Sequence, residues 1–232
     1  MKKNRIFLTA LLALALVSAA FAQTEKDFNV TLTEDGKGVV ITGYTGTATA
    51  VRIPATIQGM PVRMINDEAF RRKSTITSVI IPAGVTHIGN SAFFWCPKLT
   101  SVTIPEGVTY IDDFAFASCP LTAITLPKSL KTLGDSAFSG VRITTLTLPN
   151  GLERISKYAF QGCFALTTVT LPASITQIDS GAFRECDALT TVTIPDSVET
   201  IEFVYNSAFI DCPKLSLASQ AALRKRGYTG RF

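Results

Sequence analysis

Five cysteines and a single histidine are the side chains from which thiol, metal or acid–base chemistry would have to start. Cys96, Cys119, Cys163, Cys186 and Cys212 each stand three residues after a phenylalanine that itself follows an alanine. No Cys-x-x-Cys pair occurs, and no Cys/His spacing of the kind that closes around zinc. One shared register explains all five as turn-holding residues. On successive coils of a repeat protein, neighbouring cysteines would stand about 5 Å apart, within disulfide reach. Parallel side chains and an odd count favour a ladder of buried free thiols instead. His87 lies in Val85-Thr86-His87-Ile88, a slot that elsewhere holds Tyr110, Thr132, Arg154, Gln177 and Thr200. It reads as an exposed surface imidazole. Asp112 and Asp113 are adjacent in a turn, a poor arrangement for paired acid and base. Without a nucleophile elbow or a phosphate loop either, the sequence predicts no catalytic residue, no metal site, no cofactor and no enzyme.

What places those cysteines so regularly is a repeat. Ala-Phe recurs at Ala69-Phe70, Ala92-Phe93, Ala115-Phe116, Ala137-Phe138, Ala159-Phe160, Ala182-Phe183 and Ala208-Phe209, in steps of 22 or 23 residues with a final step of 26. A second anchor, a proline after an apolar residue, recurs at Pro54, Pro82, Pro105, Pro127, Pro149, Pro172 and Pro195. In the best-formed unit, Val102-Thr103-Ile104 alternates with period two, so Val102 and Ile104 share one face and Thr103 the other. Pro105 then ends the strand, because it has no N–H for a neighbouring coil. Val108 and Ile111 bring the chain back inward, Ala115 allows close passage, and Phe116 fills the middle. Equivalent strands must stack in parallel at about 4.8 Å. No coil can bury its phenylalanine alone, so stability comes from neighbours.

The pattern Leu-x-x-Val/Ile/Leu-x-Ile/Leu-Pro, then Val/Leu/Ile-x-x-Ile/Leu, then Ala-Phe-x-x-Cys resembles the BspA-like, treponemal-type leucine-rich repeats of bacterial surface proteins, over about residues 48–215. Together with the periodicity it implies an α/β class leucine-rich-repeat solenoid, a right-handed superhelix with a parallel β-sheet on its concave face. The resemblance also implies adhesion to host matrix proteins or to other bacteria.

The ends complete this organisation. Met1 to Arg5 is a basic start, Ile6 to Ala22 is uncharged and apolar, and Ala20-Phe21-Ala22 suits signal peptidase. Residues 1–22 are therefore expected to be a signal peptide, a retained anchor being the alternative. Residues 23–47 are expected to form a β-hairpin cap around Asp35-Gly36. Seven repeats fill 48–215. Residues 216–232 hold a short helix with Ser216 as N-cap and Gly227 as its stop. Two repeats carry insertions, one between Pro54 and Ala69 and one around Glu202-Phe203-Val204-Tyr205. Without the signal, 19 basic residues face 18 acidic ones, which gives no support for a nucleic-acid partner. No later stretch is long and apolar enough to span a bilayer.

Two sets of residues are candidates for contact. Along the outward strand face stand Arg52, Ile80, Thr103, Thr125, Thr147, Thr170 and Thr193, a nearly uncharged row of methyls and hydroxyls. Threonine also suits strands on propensity alone. The second set is Phe94-Trp95, one coil after Arg71-Arg72, with Phe114 close by, where guanidinium and aromatic rings can stack. Such residue types are enriched at interface hot spots, although internal packing explains them too. The expectation is an exported protein-binding module in the periplasm, on the surface or outside the cell. Its partner would be a host extracellular matrix or bacterial surface protein. The alternative is self-association into a homo-oligomeric surface or periplasmic assembly.

Overall fold

The computed structural model describes residues 24–201 and 207–232. The expected signal peptide and the Glu202–Tyr205 insertion lie outside the described residues. The chain winds as a parallel β-solenoid of about seven turns with one helix at its C-terminal end. It is mostly β, and its coils meet along three columns, two of them interrupted once.

The first column contains the alternating segments before the prolines. Ala50–Arg52, Ser78–Ile80 and Ser101–Thr103 pair in parallel, with Val51, Val79 and Val102 in register on the inside. Thr145–Thr147, Thr168–Thr170 and Thr191–Thr193 pair in the same way over Leu146, Val169 and Val192. The second column begins with Val39–Tyr44, Met60–Ile65, His87–Ile88, Tyr110–Ile111 and Thr132–Leu133. It resumes with Arg154–Ile155, Gln177–Ile178 and Thr200–Ile201. The insertion after Pro54 forms a small hairpin, Thr56–Ile57 against Met60–Ile65, which feeds this column.

The third column explains why Ala-Phe is fixed. Phe70 N–H donates to the Ala92 carbonyl at 2.7 Å, Phe93 to Ala115 at 2.8 Å, and the same bond recurs up to Phe183 and Ala208. To aim these bonds the turn needs left-handed backbone on both sides, as at Ser91 (φ 55°) and Trp95 (φ 55°). That conformation costs a residue other than glycine about 1–2 kcal/mol. Later coils place Gly140 and Gly162 there.

The core is a continuous aromatic stack. Rings of Phe70, Phe93, Phe116, Phe138, Phe160, Phe183 and Phe209 follow each other at 4.8 to 5.9 Å. The caps extend it. Tyr44 of the N-terminal hairpin, whose strands Phe28–Leu32 and Val39–Tyr44 are antiparallel, stacks on Phe70 at 5.4 Å. At the other end the helix Leu217–Lys225 starts where Ser216 Oγ accepts the Ser219 N–H and is followed by Gly227 at φ 85°. Behind it Tyr228 meets Phe209 edge-on. Arg224 lies over Tyr228 and Phe232, and Arg226 pairs with Asp196, so two members of the terminal basic cluster are engaged in the cap.

Neighbouring coils leave little slack. A Cβ on Gly134 would stand 2.4 Å from the Asp113 nitrogen and 2.5 Å from the Asp112 carbonyl carbon, both backbone atoms. Gly134→Ala is expected to destabilise by about 1–3 kcal/mol through overpacking. Thermal melting would register this as a drop of several degrees; an unchanged midpoint would mean the coils yield at no cost.

One expectation fails. The sequence places Thr125 on the outward strand face, but Ala123-Ile124-Thr125 is not a strand. Thr122 N–H reaches the Thr100 carbonyl at 3.2 Å; among the described residues, no backbone bond then ties 123–126 to either neighbouring strand. Turn length is the physical reason. Leu121 follows Phe116 by five residues and Ile143 follows Phe138 by five, whereas Leu99 and Leu166 follow theirs by six. Shortened turns on both sides deliver this segment out of register, and Ile124 is only partly buried as a result.

Candidate interaction surface

The outward row of the first column comes from the period-two alternation. Thr103, Thr147, Thr170 and Thr193 are exposed, Ile80 is half-buried and Arg52 is exposed. Thr125 is exposed as well but has left the sheet, so the uncharged face is two patches and not one. The turn threonines are spent on structure: Thr100 Oγ donates to Thr77 O at 3.3 Å, and Thr190 Oγ to Thr167 O at 3.1 Å. Hydroxyls of Thr103, Thr147, Thr170 and Thr193 have no such partner among the described residues.

Near the N-terminal end the second candidate set does come together. The Arg72 guanidinium lies over the Trp95 ring at 5.1 Å and that of Arg71 over Phe94 at 5.5 Å. Phe114 meets Phe94 edge-on at 6.3 Å. Arg71 is also held by Glu68 of its own coil at 2.5 Å. Arg72, Trp95 and Phe114 all have left-handed backbone, φ 55 to 57°, which turns their side chains away from the core. Trp95 is 51% exposed and Phe114 42%. The same left-handed turn position holds Ser118, Glu185 and Asp211 in other coils, so what sets this place apart is the aromatic surface it displays.

The reading of His87 needs correction. Its imidazole is half-buried, its Nε2 lies 2.6 Å from an Asp112 carboxylate oxygen, and its ring stacks on Tyr110 at 5.5 Å. The same geometry recurs three coils later, where Arg154 Nε donates to Asp179 at 2.5 Å. Each pair is separated by 25 residues. That common offset, one coil plus two positions, is the signal in the sequence that could have revealed them. Among the described residues no serine or cysteine side chain bonds the imidazole.

The five thiols are free and buried, as expected. Each donates to the carbonyl of the phenylalanine one coil earlier, from Cys96 to Phe70 at 3.1 Å through Cys212 to Phe183 at 3.1 Å. Bonding between adjacent thiols holds Cys96 below the usual thiol range, while the same bonding, then burial, pushes its partner Cys119, and likewise Cys186 and Cys212, above it, so three raised thiols outweigh one lowered. A folded-state value above the unfolded one means the folded state keeps protons that the unfolded state sheds. This stabilisation is full below about pH 8.5, the unfolded thiol value, and is lost as pH rises beyond it. Tyr228, pushed up to about 12 by burial, acts in the same direction above pH 10. Two outcomes are expected: iodoacetamide leaves the folded protein unlabelled at pH 8, and the urea midpoint falls between pH 8.5 and 11. Rapid native labelling would show that the ladder is open.

No cluster suited to a metal ion occurs among the described residues, and none of their helices is long and apolar enough to cross a membrane. The model of the BspA type leucine rich repeat region matches in six copies over residues 63–141 and 86–216, more than half of the chain. This chain belongs to the BspA-type leucine-rich repeat family. The crystal structure of the T. pallidum leucine rich repeat protein superposes with a TM-score of 0.84 at 31% identity, covering 90% of this chain and 98% of that one. A leucine-rich repeat protein from Bacteroides ovatus gives 0.62 at 26% identity, over 77% of this chain and 54% of the other. One from Eubacterium ventriosum gives 0.52 at 25%, over 75% and 44%. No curated protein matches. Membership in this surface-type BspA family points to a repeat module for protein interaction.

Proposed function

We propose that this BspA-type chain is an exported protein-recognition module, an adhesin for host matrix or bacterial surface proteins, whose principal contact is the cluster of Arg71, Arg72, Phe94, Trp95 and Phe114. The observation that carries this reading is Trp95, half-exposed on left-handed backbone and stacked with Arg72. Preordered Trp, Arg and Phe give large contact area at small entropic cost. The threonine row, Thr103, Thr147, Thr170 and Thr193 with Ile80, is the secondary contact, and Thr125 borders it.

Binding to immobilised fibronectin, fibrinogen and laminin, with albumin as control, tests it. Trp95→Gly deletes the ring at a position where glycine relieves the backbone, so the fold is preserved. Loss of a hot spot worth about 2 kcal/mol weakens binding roughly 30-fold. Unchanged binding in Trp95→Gly together with loss in Thr170→Asp would move the contact to the threonine row. No binding to any of the three, with particle size growing with concentration, would replace adhesion by self-assembly.

A further inference from the structure

Both strand columns are interrupted where the coil of Phe138 meets the coil of Phe160, the first of them over the whole segment 123–126, which pairs with neither neighbour. In the first column Thr145–Thr147 pairs on one side only, with Thr168–Thr170, and its other edge faces the unpaired segment 123–126. In the second column Thr132–Leu133 and Arg154–Ile155 are not paired with each other. At Ile88, Ile111 and Ile155 the next coil's backbone N–H bonds to the strand's carbonyl, yet at Leu133 it is the Ser156 side-chain hydroxyl that reaches across, at 2.5 Å. The third column stays closed, with Phe138 N–H on Ala159 O at 2.9 Å. Ring spacing in the phenylalanine stack is widest here, 5.9 Å. At this seam the strand ladders lapse in two columns, and the coils are held by the third column, by Arg142 N–H on Leu121 O at 2.8 Å and by the Ser156 hydroxyl.

Two openings lie on this seam and share Lys131 and Gly151, one of about 680 Å³ on the first column and one of about 350 Å³ on the second. The larger is within the range of ligand sites. Its apolar floor is Ile124, Leu126 and Leu148, its strand edge Thr145 and Thr147, and its rim Lys128 and Lys131, with no acidic residue lining it.

We propose that this seam is a docking slot for an extended acidic peptide segment of a partner protein, which adds as a strand to the free edge of Thr145–Thr147. Unpaired backbone N–H and C=O groups on that edge call for an extended chain, the mode of strand addition. Apolar side chains of the segment meet Leu126 and Leu148, and its carboxylates meet the two rim lysines. The slot is separate from the Trp95 cluster, so either site can fail without the other.

Fluorescence anisotropy with a fluorescein-labelled octapeptide of alternating valine and threonine, ended by two glutamates, tests the slot on the purified protein. The acidic peptide should bind saturably. Binding should weaken at least tenfold when its terminal residues are lysine, when alternate backbone amides are N-methylated, or in the surface variant Lys128→Glu/Lys131→Glu, whose circular dichroism and melting should match the parent. Trp95→Gly should leave peptide affinity unchanged. Equal binding of the N-methylated peptide, or by the double variant, would overturn strand addition. Failure of the peptide, with a dansylated fatty acid bound in a Lys128- and Lys131-dependent way, would assign the slot to a lipid carboxylate and overturn the proposal.

Discussion

Phe138→Ala is expected to destabilise the protein by about 3–5 kcal/mol, and to divide its unfolding into two steps. The ring is fully buried, between Phe116 at 5.2 Å and Phe160 at 5.9 Å, so truncation leaves a cavity that the rigid ladder around it cannot close. The cost should match other large core truncations; the position makes the consequence unusual. Repeat arrays unfold together only while the interface between neighbours is strong. At this seam both strand ladders are already interrupted, and the coils on either side are joined by the third column, this ring and a few single bonds such as Arg142 N–H to Leu121 O. Trp95 is the single tryptophan and lies on the N-terminal side of the seam. Its fluorescence therefore reports one block, while far-ultraviolet circular dichroism reports both. In urea the two signals should coincide in the parent and separate in Phe138→Ala. Coincident transitions in the variant would show that the seam transmits folding as well as any other interface.

The second large effect is expected from Arg154→Ala, at about 2–3 kcal/mol. The Asp179 side chain is fully buried, and its carboxylate accepts from Arg154 Nε at 2.5 Å and from Gln177 Nε2 at 2.9 Å. Removing the guanidinium takes from a buried carboxylate the cation that bonds it at 2.5 Å, which is costly, and the half-exposed state of Arg154 places the figure below that of a fully buried pair. Converting the acid to an amide removes the charge as well. Arg154→Ala/Asp179→Asn should thus recover part of the loss in urea denaturation, a positive coupling in the double-mutant cycle. Additive losses, or a single variant costing under about 0.5 kcal/mol, would show that water already screens the carboxylate.

How far such features are legible in a sequence depends on the length scale that sets them. Ala115-Phe116 and its six counterparts announce the coil because each position answers to its own surroundings: the alanine to close passage, the phenylalanine to the interior, the proline to the end of a ladder. The Ser216 cap and the Arg72–Trp95 and Arg71–Phe94 stacks follow equally well, since a step of one repeat places residues directly above one another. Aromatic closure of the core by Tyr44 and Tyr228 was not legible, because neither lies in the repeat register.

Periodicity in the sequence by itself determined the solenoid, its phenylalanine stack, the stacking of its cysteines and the outward positions, all of which follow from local alternation repeated at a constant step. Only the tertiary structure decided that Thr125 leaves the sheet, that His87 and Arg154 find acids 25 residues on, and that the coils part between Phe138 and Phe160. These depend on how far one coil is displaced against the next. A turn one residue shorter moves that displacement by most of a strand spacing, a distance to which a repeat pattern in one dimension is blind.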